Sequence, residues 1–109
     1  MIPSIGENVF IIDRKLFPED LQRHLIGEIT KSSENALMIK GHVWVRDQIK
    51  GFVRKTGKRE RLVYPSDRTT INIIPKEVNL DEIKYIQTGI SLAVTDGKNF
   101  TIDITEFNR

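Results

Sequence analysis

The sequence predicts an all-β protein, and three observations carry that expectation. Apolar and polar residues alternate with a period of two through much of the chain, most clearly from Ala36 to Arg46 and from Thr69 to Ile74. This is the period of a strand that buries one face. The alternating runs are short and are bounded by turn chemistry, such as Ser32-Ser33-Glu34-Asn35, Pro65-Ser66-Asp67 and Asp96-Gly97. Helix signals are confined to two short segments.

With 109 residues, the chain has the size of one domain and can bury roughly two thirds of its unfolded surface. A single domain spanning 1–109 is expected. It has no cysteine, which excludes disulfides, thiolate metal ligands and a thiol nucleophile. The first residues, Met1-Ile2-Pro3-Ser4-Ile5-Gly6-Glu7-Asn8, lack the basic and apolar regions of a leader. No stretch approaches a membrane span, so a cytoplasmic location without membrane contact is expected. Charged residues make up 29% of the chain, but the net charge is only +2. A polyanionic partner therefore has to be argued from local clustering.

Val9 to Ile12 is a compact apolar run that reads as a strand starting the core. From Phe17 to Leu25 the pattern suits one helical turn. Pro18 fits the first helical position, Glu19 and Asp20 complement the positive end of the dipole, and Phe17, Leu21 and Leu25 recur every four residues. From Leu25 the period is two, with Leu25, Gly27 and Ile29 facing one way, and Lys31 to Asn35 makes a turn. The next strand, Ala36 to Arg46, puts Leu37, Ile39, Val43 and Val45 on one face and Met38, Lys40, His42, Trp44 and Arg46 on the other. Gly41 lies in register with the apolar set, where a bend or bulge would let one long strand serve two halves of a sheet.

Lys50 to Arg54 and Arg61 to Tyr64 read as the two strands of a hairpin around Lys55-Thr56-Gly57-Lys58-Arg59. Thr69 to Ile74 alternates until Pro75. Asn79, with Glu82 three residues on, marks a short helical or 3₁₀ turn. Ser91 to Thr95 and Phe100 to Thr105 flank Asp96-Gly97, the strongest hairpin signal in the chain. That hairpin is expected to set Leu92, Val94, Phe100, Ile102 and Ile104 on one core face.

Catalytic chemistry has few candidates. His24 and His42 are the side chains able to act as bases near neutral pH, and neither lies in a recognisable motif. There is no His-Glu-x-x-His, and Thr56-Gly57-Lys58 falls far short of a phosphate-binding loop. Asp13, Glu19, Asp20 and Glu28 are scattered rather than caged, so no metal and no cofactor is expected. The local anomaly is basic: Lys50, Arg54, Lys55, Lys58, Arg59 and Arg61 stand against the single acid Glu60. Such a stretch can reach a phosphate backbone, with Phe52, Trp44 or Tyr64 as stacking faces. The competing reading is a solvated strand edge protected from pairing by its charges. His42 and Trp44, on one strand face, form a candidate interface or ligand face.

The element order resembles the Sm-like family: a short helical element, then strongly bent antiparallel strands closing a small SH3-like barrel. The segment Leu25-Ile26-Gly27-Glu28-Ile29 through Ala36-Leu37-Met38-Ile39 is similar to the first Sm motif in its apolar opening around glycine and its apolar ending. Ser33 and Leu37 stand where that motif has Asp and Asn, and Thr95-Asp96-Gly97 stands near the last strands in place of Arg-Gly or Lys-Gly. The resemblance implies the barrel and assembly of copies, but not uridine-type RNA recognition. The chain also resembles small prokaryotic proteins of unassigned activity with a Phe-Pro-Glu-Asp-Leu segment and a terminal Thr-Asp-Gly hairpin.

The expected function is a non-enzymatic binding or assembly module that self-associates. The alternatives are RNA or single-stranded nucleic-acid binding through Lys50 to Arg61, and a small enzyme with His42 as base.

Overall fold

The computed structural model describes residues 4–13, 23–47, 51–66, 68–98 and 100–105. They are all-β, with antiparallel pairing throughout and a 3₁₀ turn at Leu80–Glu82. The chain divides into two compact units, Met1–Ile74 and Pro75–Arg109.

In the first unit the strands are β1 (Asn8–Asp13), β2 (Arg23–Ser32), β3 (Leu37–Asp47), β4 (Gly51–Arg54), β5 (Arg59–Val63) and β6 (Thr69–Ile74). They form one sheet in the order β4-β3-β2-β1-β6, with β5 also paired to β3. The last strand thus returns to pair with the first. Val9, Ile11, Leu25, Ile29, Leu37 and Ile39 form the core cluster, and Val43, Val63 and Ile71 pack against it. Val63 on β5 lies beside Leu37 on β3, and Ile71 on β6 beside Ile11 on β1, so one apolar face runs across the sheet from margin to margin. Ile11 and Val63, three strands apart in this order, border one concavity, so the sheet is curled with this face inside. The other face also carries buried residues, Phe10, Ile12, His24 and Ile26, which explains the unbroken apolar run in β1.

Several expectations need correction. Arg23 and His24, assigned by periodicity to the end of a helical turn, belong to β2, which begins two residues before the strand expected from Leu25. The rest of that segment, 14–22, lies outside the described residues. Gly41 is not a bulge: register runs through it, with Gly27 as its partner. The register shift sits instead between Ile29 and Lys31, leaving Thr30 as the extra residue, its hydroxyl on the Met38 carbonyl at 3.3 Å. The hairpin expected between Lys50 and Tyr64 does not form. Both β4 and β5 pair antiparallel with β3, β4 with Trp44–Asp47 and β5 with Leu37–Gly41. They are two pieces of one edge strand, because the long outer edge of β3 offers more backbone partners than a four-residue strand can.

In the second unit Asn79 caps a 3₁₀ turn at Leu80–Glu82, its side chain accepting the Asp81 N–H at 3.0 Å. The strands β7 (Lys84–Thr88), β8 (Ser91–Thr95) and β9 (Thr101–Asp103) follow as a meander. Sequence reasoning missed β7. The Asp96-Gly97 turn is looser than a two-residue hairpin: Thr95 pairs with Thr101, so residues 96–100 form the connection. Gly97 has φ +79°, and the Asp96 carboxylate accepts the N–H groups of Lys98 (2.9 Å) and Phe100 (3.1 Å). The Lys98 N–H first, and then that of Phe100, hold the Asp96 carboxyl below its ordinary range. Leu92, Val94, Phe100 and Ile104 are buried, while Ile102, directly across from Val94, is half-buried.

Phe100→Ala removes the bulkiest side chain of this hairpin from a buried position, and chemical denaturation is expected to show a loss of about 3 to 5 kcal/mol. A loss below about 1 kcal/mol would mean that Phe100 does not hold the hairpin in place.

Candidate nucleic-acid interface

The basic stretch gains its geometry from the interruption between β4 and β5. Arg54 pairs with Trp44 and Arg59 with Gly41, so three steps along β3 are matched by five along the edge strand. The surplus loops outward at Thr56 and Gly57. Gly57 has φ +89°, and a Cβ placed on it would meet nothing within 4 Å. Its requirement is conformational rather than one of space. Just before the kink, the Lys55 N–H still bonds the Val43 carbonyl at 2.8 Å, which anchors the loop to β3.

Strand alternation then sorts the charges. Arg59 and Arg61 stand opposite Gly41 and Ile39 on one face, while Glu60 stands opposite Lys40 on the other. A concavity of about 120 Å³ opens beside the kink, bounded by Gly41, Val43, Lys55, Thr56, Gly57, Arg59 and Arg61. Three cations and no acid line it among the described residues. Glycine at 41 leaves its floor without a side chain. Arg54, Lys55, Lys58, Arg59 and Arg61 are all exposed, as is Tyr64 just beyond β5 at 66%. Of the six basic residues singled out in the sequence, the structure brings Lys55, Arg59 and Arg61 together. Arg54 and Lys58 lie on the same edge without lining the concavity, and Lys50 lies outside the described residues.

His42 and Trp44 are half-buried and do not face this site. They pair with Ile26 and His24 across β2, on the face opposite the core cluster. There His24 is 1% exposed, stacked on Phe52 with centroids 4.6 Å apart and set edge-on to Phe10 at 5.4 Å. The Arg46 guanidinium lies 5.9 Å from the Phe52 ring centroid, a cation held against the same aromatic group. Burial pushes the pKa of His24 down to about 4, so its imidazole is neutral at physiological pH and a poor base. No group of three or more His, Cys, Asp or Glu able to hold a metal ion occurs among the described residues.

A second and larger concavity, about 440 Å³, was not foreseen from sequence. It is lined by Ile11, Arg23, His24, Leu25, Val43 and residues 60–63. These come from four different strands, so no local motif announces it.

A scan against protein-family models, a search of curated proteins and a search of solved structures each found no match.

The His24 environment predicts a pH dependence. The unfolded histidine takes up a proton near pH 6.5, the folded one only near pH 4. Stability from this group is therefore complete above pH 6.5 and drains away as pH falls toward 4, by up to about 3 kcal/mol. Urea denaturation at pH 7.5 and pH 4.5 is expected to show a larger acid-side loss for the wild type than for His24→Phe. Equal losses in the two proteins would contradict it.

Proposed function

We propose that this chain is a non-enzymatic binding module, a curled sheet of the SH3-like or Sm-like kind whose kinked basic edge takes the phosphate backbone of a single-stranded nucleic acid. The observation that carries this reading is the small concavity lined by Lys55, Arg59 and Arg61. A solvated, edge-protecting charge run spreads its cations along the strand. Here alternation and the kink gather three of them around a hollow of phosphate size, and the single acid of the stretch falls on the other face. Arg59 and Arg61 supply planar forks suited to phosphate oxygens, and Lys55 a point charge.

A single strand is favoured over a duplex because the exposed Tyr64 ring at the end of β5 offers a stacking face that only unpaired bases use. The sheet order, a meander whose last strand returns to the first, supports the barrel kind. Binding is favoured over catalysis because His24 is held neutral in an aromatic sandwich, and His42 stands apart from both concavities.

Titration of a labelled ten-nucleotide single strand tests the reading. With about three phosphate contacts, affinity is expected to fall roughly twentyfold between 50 and 200 mM salt. Lys55→Glu with Arg59→Glu is expected to abolish binding while leaving the circular dichroism spectrum unchanged. Binding insensitive to salt, or retained by the double variant, would sink the proposal.

A further inference from the structure

We infer that the larger concavity of the first unit is a binding site for a small amphipathic anion, an apolar body ending in a carboxylate. Its volume of about 440 Å³ falls within the range of small-molecule sites, roughly 300 to 1,000 Å³. Its lining is drawn from across the sheet. Ile11 on β1 and Val63 on β5 sit on strands three places apart in the sheet, about 14 Å if it were flat, yet both border this one space. The curl of the sheet brings these strands to the border of one space, which stays open to solvent.

The walls and the rim differ in chemistry. Leu25 and Val43, partners across β2 and β3, join Ile11 and Val63 in an aliphatic wall, each on the inward face that carries the core cluster. At the rim stand Arg23, exposed at the start of β2, and Arg61, exposed on β5. One acid, Glu60, also lines the space, so the two guanidiniums outnumber it. Aliphatic walls select an apolar body, and two guanidiniums select a carboxylate at its end. A neutral ligand of the same shape forgoes the second interaction.

This site does not rest on the nucleic-acid reading. It shares Arg61 and Val43 with the smaller concavity, but Arg23 belongs to it alone.

Decanoate and 1-decanol are the probes, titrated below micelle formation into the intact chain with ¹³C-labelled Ile, Leu and Val methyl groups. Decanoate is expected to saturate one site, with shifts concentrated at Ile11, Leu25, Val43 and Val63, and to bind about tenfold more tightly than decanol. Arg23→Gln is expected to remove most of that difference, to leave decanol binding unchanged and to leave oligonucleotide binding intact, so that the two readings fail separately. Absence of saturation, shifts centred elsewhere, equal affinity for acid and alcohol, or an unaltered preference in Arg23→Gln would each overturn the inference.

Discussion

Everything in the first unit turns on the contact between Gly27 and Gly41. The two residues are partners across β2 and β3 on the inward face, and their backbones approach closer than any side chain permits. A Cβ on Gly27 would lie 2.7 Å from the Gly41 Cα, and one on Gly41 would lie 2.5 Å from the Gly27 Cα while running into the Ile26 carbonyl oxygen. The obstructions are backbone atoms, which cannot swing aside as a flexible side chain can. Paired glycines let the two central strands of the sheet bend over their own inner face, one of the means by which a sheet acquires curl. The extra residue Thr30 adds to that curl a few positions along.

From this constraint the shape of the basic edge follows. The outer edge of β3 is served by β5 up to Gly41 and by β4 from Trp44 onward. The surplus length at Thr56-Gly57 falls in the interval between them, beside the close-approach pair. The basic hollow is therefore a consequence of the curl: its floor is Gly41 and its rim is the kink. The larger concavity has the same origin, since only a curled sheet brings Ile11 and Val63 to the border of one space. On the outer face Phe10, His24 and Phe52 pack ring against ring. There a histidine serves as a flat aromatic group, and burial keeps it neutral.

The residues differ in how much of this they announce. β1, β3, β6, the Asn79-capped turn and β8 are legible because alternation and capping are local signals. β7 is not: Tyr85 is its single partly buried position, with Lys84, Ile86, Gln87 and Thr88 exposed, so no apolar face marks it. The collinear path of β4 and β5 is hidden for a different reason. Lys55-Thr56-Gly57-Lys58 suits a chain reversal and a bulged kink equally well, and only the free length of β3's edge decides between them. The cations of the candidate site can be found from composition, but their gathering cannot. It depends on Arg59 and Arg61 falling on one face and Glu60 on the other, which is a matter of register. Gly41 is readable as a special position, though its use as half of a close-approach pair requires knowing that Gly27 stands opposite.

The claim that the glycine pair sets the curl is tested most directly by the stability of Gly41→Ala in urea. A methyl group forced against the backbone of Ile26 and Gly27 has no space to enter. The account predicts a loss of more than about 3 kcal/mol, at or beyond the upper end of ordinary overpacking. A variant within about 1 kcal/mol of the wild type would show that β2 and β3 separate without penalty, and that the curl is set elsewhere.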